Sequence, residues 1–269
     1  MYQRYHSLMI YSLSLFANIA KSSFRLLLVF SLSLAFLASG VASAEPEAKK
    51  VDEAVQKALD ATPDLEKGRR LYYNCAVCHT PEGWGSPSGY FPQIAGQHQS
   101  VILKQLADIH KGNRDNPTMM PFTKPLFAKG TQALADISAY IEQLPMVPNN
   151  SIGFGMRLEE GKELYNEYCK KCHGDNGEGD AKEFYPRIHG QHFKYLLRQL
   201  QWVKSGKRRN ADEKMVEQFK IFSHSDLAAI ADYVSRLTPD NELLADHLDW
   251  RNPDFRAGFR TAPKVKQEQ

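Results

Sequence analysis

Two stretches of the chain carry the same helical stripe. Leu134, Ile137, Tyr140, Ile141 and Leu144 recur at helical spacing, and Leu227, Ile230, Tyr233, Val234 and Leu237 repeat that spacing residue for residue. Apolar positions spaced in this way share one face of an α-helix, so each stripe predicts an amphipathic helix whose apolar face lies in a core. Thr131 and Ser223 are the expected N-caps, the latter with Asp226 three positions on in a capping-box arrangement. Between the halves, residues 145–151 lack periodicity and carry Pro145, Pro148, Asn149 and Asn150, which reads as a linker. Residues 45 to about 60 are charged and predict an exposed helical leader. The tail at 239–269 sets Trp250, Phe255 and Phe259 among charges and has no counterpart in the first half.

The stripes belong to a tandem repeat. Glu66, Gly68, Leu71 and Tyr72 lead into Cys75-Ala76-Val77-Cys78-His79, and Glu160, Gly161, Leu164 and Tyr165 lead into Cys169-Lys170-Lys171-Cys172-His173. Downstream, Pro92, Ile94, Gly96, Gln97 and His98 match Pro186, Ile188, Gly190, Gln191 and His192. Leu103, Gln105, Leu106 and Gly112 match Leu197, Gln199, Leu200 and Gly206. On a helical turn the two cysteines of each motif face the same way and can form thioethers with the two vinyl groups of one haem. The following histidine then presents its imidazole to the iron, which is the attachment signature of c-type haem. A structural zinc site or a pair of disulfides would also use such cysteine pairs, but neither calls for a histidine directly after both. The motifs consume all 4 cysteines of the chain.

A haem held only by histidine leaves one iron position open, and a methionine sulfur there fills it and raises the potential. In the second half the methionine in the right window is Met215. In the first, Met119 and Met120 compete, and the register decides: Phe222 lies seven residues after Met215 and Phe127 seven after Met120. Met120 is therefore the expected ligand and Met119 a packing residue. His79 and His173 hold the other axial positions, and each needs its second ring nitrogen oriented, usually by a carbonyl. Pro92 and Pro186 stand 13 residues after their histidines, where spacing alone reads equally as a turn proline or as that carbonyl. His98 and His192 share a repeat slot and read as surface or packing residues, with His192 and His224 as substitutes should Met215 not ligate.

Residues 1–44 contain Arg4, Lys21 and Arg25 and no acid, and 26–37 is an almost unbroken apolar run before Ala42-Ser43-Ala44. That pattern predicts a secretory signal peptide cleaved after Ala44, with Met9 or a later start as an alternative beginning. A membrane anchor is the competing reading, although spanning takes about 20 apolar residues. Export to the periplasm fits chemistry that attaches haem through thiols. The chain carries 34 Lys and Arg against 31 acids, and losing the three basic residues of the signal leaves a balanced mature chain, giving nucleic-acid binding no electrostatic support. The predicted organisation is a signal at 1–44, a leader at 45–62, a first haem domain at 63–145, a linker at 146–155, a second haem domain at 156–238 and the tail at 239–269.

Over residues 66–237 these motifs resemble the dihaem cytochromes c of the cytochrome c4 type. The likeness rests on both haem motifs, the Pro-x-Ile-x-Gly-Gln stretches at Pro92 and Pro186, Gln105-Leu106 with Gln199-Leu200, and Met120 with Met215. Tyr195-Leu196 fits the family pattern, whereas Val101-Ile102-Leu103 stands in that region of the first half; Met120 is followed by Pro121 but Met215 by Val216. The resemblance implies an all-α fold of two tandem class I cytochrome c domains, each wrapping one of two covalently bound haem c groups. It also implies His and Met axial ligands, proline carbonyls accepting from the proximal histidines, and haems facing each other across the domain interface. The implied function is that of a monomeric periplasmic electron shuttle feeding a membrane-bound terminal oxidase, with a quinol-oxidising complex as a further membrane partner. A cytochrome subunit of a periplasmic dehydrogenase, for sulfide or alcohol oxidation, is the alternative. A dihaem peroxidase or thiosulfate-oxidising enzyme would need a displaceable ligand or a spare cysteine, and the methionines in both halves argue against it.

Overall fold

The computed structural model describes residues 52–256 and 258–259, all within one compact unit. The predicted signal peptide lies outside the described residues. The helices are α1 (Glu53–Asp60), α2 (Leu65–His79), α3 (Gln99–His110), α4 (Met120–Phe127) and α5 (Thr131–Gln143), then α6 (Leu158–Leu164), a π-helical turn (Tyr165–Cys169) and α7 (Lys170–His173). They are followed by α8 (Phe193–Lys204), α9 (Glu213–Phe219) and α10 (His224–Ser235). Among the described residues the only β pairing is two isolated bridges, so the expected all-α architecture holds.

Each half is built on one helix crossing. The helix that leads into the haem motif packs on the closing striped helix, α2 on α5 and α6 on α10. Gly68 and Gly161 sit at those crossings, where a Cβ would run into the backbone of Asp136 and Ala229. Only glycine permits so close an approach. Beside the crossing, Tyr72 and Tyr165 are fully buried and donate to the carbonyls of Thr80 and Gly174, each at 2.7 Å. Their rings pack against Tyr140 and Tyr233 with centroids 5.4 and 5.5 Å apart.

The halves differ where the sequence gains a residue. Cys75 follows Tyr72 by three positions, but Cys169 follows Tyr165 by four. The π-turn occupies that interval and absorbs the extra residue, letting Cys169 re-enter the register of Cys75. Beyond the motif, Thr80 takes φ 69° where the second half has Gly174 at φ 84°.

Several local expectations are corrected. Gly130, at φ 89°, is the residue ahead of α5, and Thr131 is its first helical position; the capping box of Ser223 and Asp226 forms as expected. The leader helix α1 is not simply exposed: Val55 and Ala58 are buried against Leu103, Ala107 and Leu134. The linker begins as core, with Met146 and Val147 buried and Met146 bridged to Leu244. The tail packs Trp250, Phe255 and Phe259 onto the first half's core. Trp250 lies 5.9 Å from Trp84, Phe255 4.6 Å from Tyr73, and Tyr140 donates to Asp254 at 2.8 Å. Asn252, 4% exposed, donates to Pro81 O at 2.7 Å and to the Tyr140 hydroxyl at 3.0 Å.

Replacing Asn252 leaves those acceptors short of a donor in a dry setting, which costs about 1–3 kcal/mol. Asn252→Ala is therefore expected to lower the unfolding free energy of the holoprotein by that order, read as a lower denaturant midpoint, and an unchanged midpoint would show that the tail does not brace the first half.

Candidate haem sites

In the first half α2 delivers Cys75, Cys78 and His79 on its last turn. Cys75 packs against a core that includes Tyr72, Ile102 and Ile141. In the second, Cys169 packs against a core that includes Tyr165, Phe222 and Leu227. No disulfide joins any of the four cysteines, and among the described residues no group of three or more His, Cys, Asp or Glu gathers that could hold a bare metal ion. Before haem attachment, burial pushes the Cys75 and Cys169 thiols up to about 12.

The histidines are fixed alike. His79, 5% exposed, meets Pro92 O through Nδ1 at 2.9 Å, and His173 meets Pro186 O through Nδ1 at 3.1 Å. A carbonyl can only accept, so Nδ1 carries the proton and Nε2 keeps the lone pair an iron needs. Burial lowers both imidazole pKa values against the smaller raising effect of the proline carbonyls, which keeps the rings neutral. Met119 and Met120 sit half-buried at the start of α4, and Met215 half-buried in the first turn of α9.

The Gly-Gln-His stretches do what sequence reasoning missed: they join the halves. Gln191 accepts from Gln93 N at 3.1 Å and donates to Gln93 O at 2.8 Å. Gln97 accepts from Arg187 N at 3.0 Å and donates to Arg187 O at 2.9 Å. The side chains of Gln93 and Arg187 return to the carbonyls of Gly190 and Gly96. His98 Nε2 meets Glu178 O at 2.9 Å and His192 Nε2 meets Trp84 O at 2.8 Å, each acceptor five residues past the other half's haem motif. These histidines are buried ties between the halves rather than surface residues. The signal was available in the repeat, because both members of every pair occupy equivalent slots.

A second cross-half cluster gathers Arg114 and Arg208, also repeat equivalents. Arg114 donates to Gln105 at 2.7 Å and to Gln199 and Tyr195 at 3.1 Å, and Arg208 donates to Gln199 at 3.1 Å. Burial, with the neighbouring charge of Arg114, pushes the Arg208 guanidinium down to about 10. Among the described residues neither arginine has a carboxylate within ion-pair reach, although buried cations ordinarily do. Haem propionates would meet that demand. Paired thiols on a helical turn, a neutral imidazole held by Nδ1 and an arginine with no carboxylate partner, buried in the first half and half-buried in the second, together fit a covalent haem in each half.

Two helical units with these attachment residues define a tandem c-type cytochrome. The family model for cytochrome c matches residues 65–145 and again 158–238. Cytochrome c4 of Azotobacter vinelandii is 31% identical over 193 residues, covering 66% of this chain and 90% of that protein. The crystal structure of reduced recombinant cytochrome c4 from Pseudomonas stutzeri aligns with a TM-score of 0.56 at 28% identity, covering 65% of this chain and 100% of that one. A thiosulfate dehydrogenase electron acceptor of Stutzerimonas stutzeri is 29% identical over 174 residues, covering 61% of this chain and 78% of that protein. The chain belongs to the cytochrome c4 family, dihaem cytochromes with two covalently bound haem c groups that transfer electrons.

Burial lowers the pKa values of His98, His189 and His192. Unfolded, each takes up a proton near about pH 6.5, while the folded forms resist it, so stability is full above that pH and falls as pH drops below it. The denaturant midpoint of the holoprotein is expected to decline between about pH 7 and pH 5.5. His192→Gln, which can still donate to Trp84 O but does not titrate, should flatten the decline; an unaltered slope would contradict this origin.

Proposed function

We propose that the chain is a periplasmic one-electron carrier with two His/Met haems, His79 with Met120 and His173 with Met215. Bound haem supplies a one-electron iron couple; the protein supplies ligands, orientation and a dry pocket. The observation that carries this reading is the repeated constellation itself. Each half holds a histidine, buried in the first and half-buried in the second, whose Nδ1 is held on a proline carbonyl, and sets a half-buried methionine at the start of the following short helix. Met215 packs in the same apolar cluster as Cys169, in keeping with a place beside the second haem. Pro92 and Pro186 act as the orienting carbonyls. Held by His79 and Met120 or by His173 and Met215, a haem iron would have no open position for a substrate, and little would have to move on electron transfer.

The proposed destination of the electrons is a membrane-bound terminal oxidase, the donor a quinol-oxidising complex. Among the described residues no helix is long and apolar enough to cross a membrane. A second reading, as the acceptor for a periplasmic dehydrogenase, draws support from the likeness to a thiosulfate dehydrogenase electron acceptor.

The ferric holoprotein is expected to show methionine-to-iron near-infrared absorption equivalent to two haems. Met120→Ala and Met215→Ala should each remove half of it and Met119→Ala none. Loss of half in Met119→Ala would move the first ligand by one residue, and half-intensity in the wild type would reopen an enzymatic reading. Rapid reduction by a thiosulfate dehydrogenase turning over thiosulfate would favour the second reading.

A further inference from the structure

The carbonyl of Pro92 and the N–H of Gln93 belong to one peptide group, as do the carbonyl of Pro186 and the N–H of Arg187. In the first group the carbonyl meets His79 Nδ1 at 2.9 Å while the N–H donates to Gln191 Oε1 at 3.1 Å. In the second the carbonyl meets His173 Nδ1 at 3.1 Å while the N–H donates to Gln97 Oε1 at 3.0 Å. Each proximal peptide is thus bonded on one side by its own half's histidine and on the other by the opposite half's glutamine. The amide orientations follow from the partners: an N–H must face Oε1, and the carbonyls of Gln93 and Arg187 must face Nε2.

Hydrogen bonds in series polarise one another, so a peptide whose N–H is drawn toward an acceptor offers a stronger carbonyl. A stronger carbonyl pulls harder on the Nδ1 proton and makes the imidazole a more basic ligand. We propose that Gln97 and Gln191 are positioning residues that tune the haem of the opposite half: Gln97 strengthens His173 as a ligand, and Gln191 strengthens His79. The relay rests on the reading of these histidines as iron ligands. A more basic ligand favours ferric iron, so losing either glutamine raises the potential of the opposite haem.

The test is a redox titration of the holoprotein followed haem by haem by NMR, with the Nδ1–H resonances of the two axial histidines read in the ferrous state. Gln97→Met keeps the side chain's length without its acceptor. It should raise the potential of the His173 haem and move the His173 Nδ1–H upfield, with His79 and its haem unchanged. Gln191→Met should do the converse. A shift confined to the glutamine's own half, an equal shift of both haems, or none would overturn the relay. Should Gln97→Met not fold, Gln97→Glu keeps both length and acceptor; its His173 Nδ1–H moves downfield if the relay holds and stays put if it does not. Absence of two axial-histidine signatures in the wild type would instead sink the ligand reading beneath it.

Discussion

The bidentate pairing of a glutamine amide with the opposite half's proximal peptide is the interaction on which the arrangement of the sites depends. Gln97 and Gln191 each satisfy a backbone N–H and a backbone C=O, and the peptide so held is the one whose carbonyl fixes the haem motif's histidine. A buried peptide group left without partners costs about 1–3 kcal/mol. The halves therefore cannot part without exposing or orphaning the loops behind their own haem motifs. Separate units would each need another way to hold that loop. Here the duplication supplies it reciprocally.

The rest of the fold brings the two loops within reach of each other. Gly68 and Gly161 let the motif helices press onto α5 and α10, and Tyr72 and Tyr165 tie the end of each motif helix back to the core. His98 and His192 extend the contact to the turn after the opposite motif. Arg114, buried, and Arg208, half-buried, complete it at another edge, where both donate to Gln199. The tail breaks the symmetry, laying Phe255 and Trp250 over the first half's core.

Much of this was legible in the sequence, because period and repetition survive in it. The stripes from Leu134 and Leu227 became α5 and α10, and the duplicated Cys-X-X-Cys-His motifs announced two covalent haems. The capping box at Ser223 could be read from three residues. Less local features could not. The extra residue before Cys169 is visible in the numbering, but that it resolves as a π-turn depends on the helix keeping both its crossing and its motif in register. Gly130 displaced Thr131 as the residue ahead of α5 because the chain needs a positive φ there. His98 and His192 read as bland because their partners are backbone carbonyls about eighty and a hundred residues away, which no side-chain motif records. The apolar face of the tail was likewise invisible without its partner surface.

Backbone hydrogen exchange at two amides tests the central claim most directly. If the glutamine pairings hold the proximal loops, the N–H groups of Gln93 and Arg187 in the holoprotein exchange only through global unfolding, although both lie in irregular segments. Gln191→Ala should then release Gln93 and leave Arg187 protected. Exchange of both amides in the wild type at the rate of exposed loops would contradict the account.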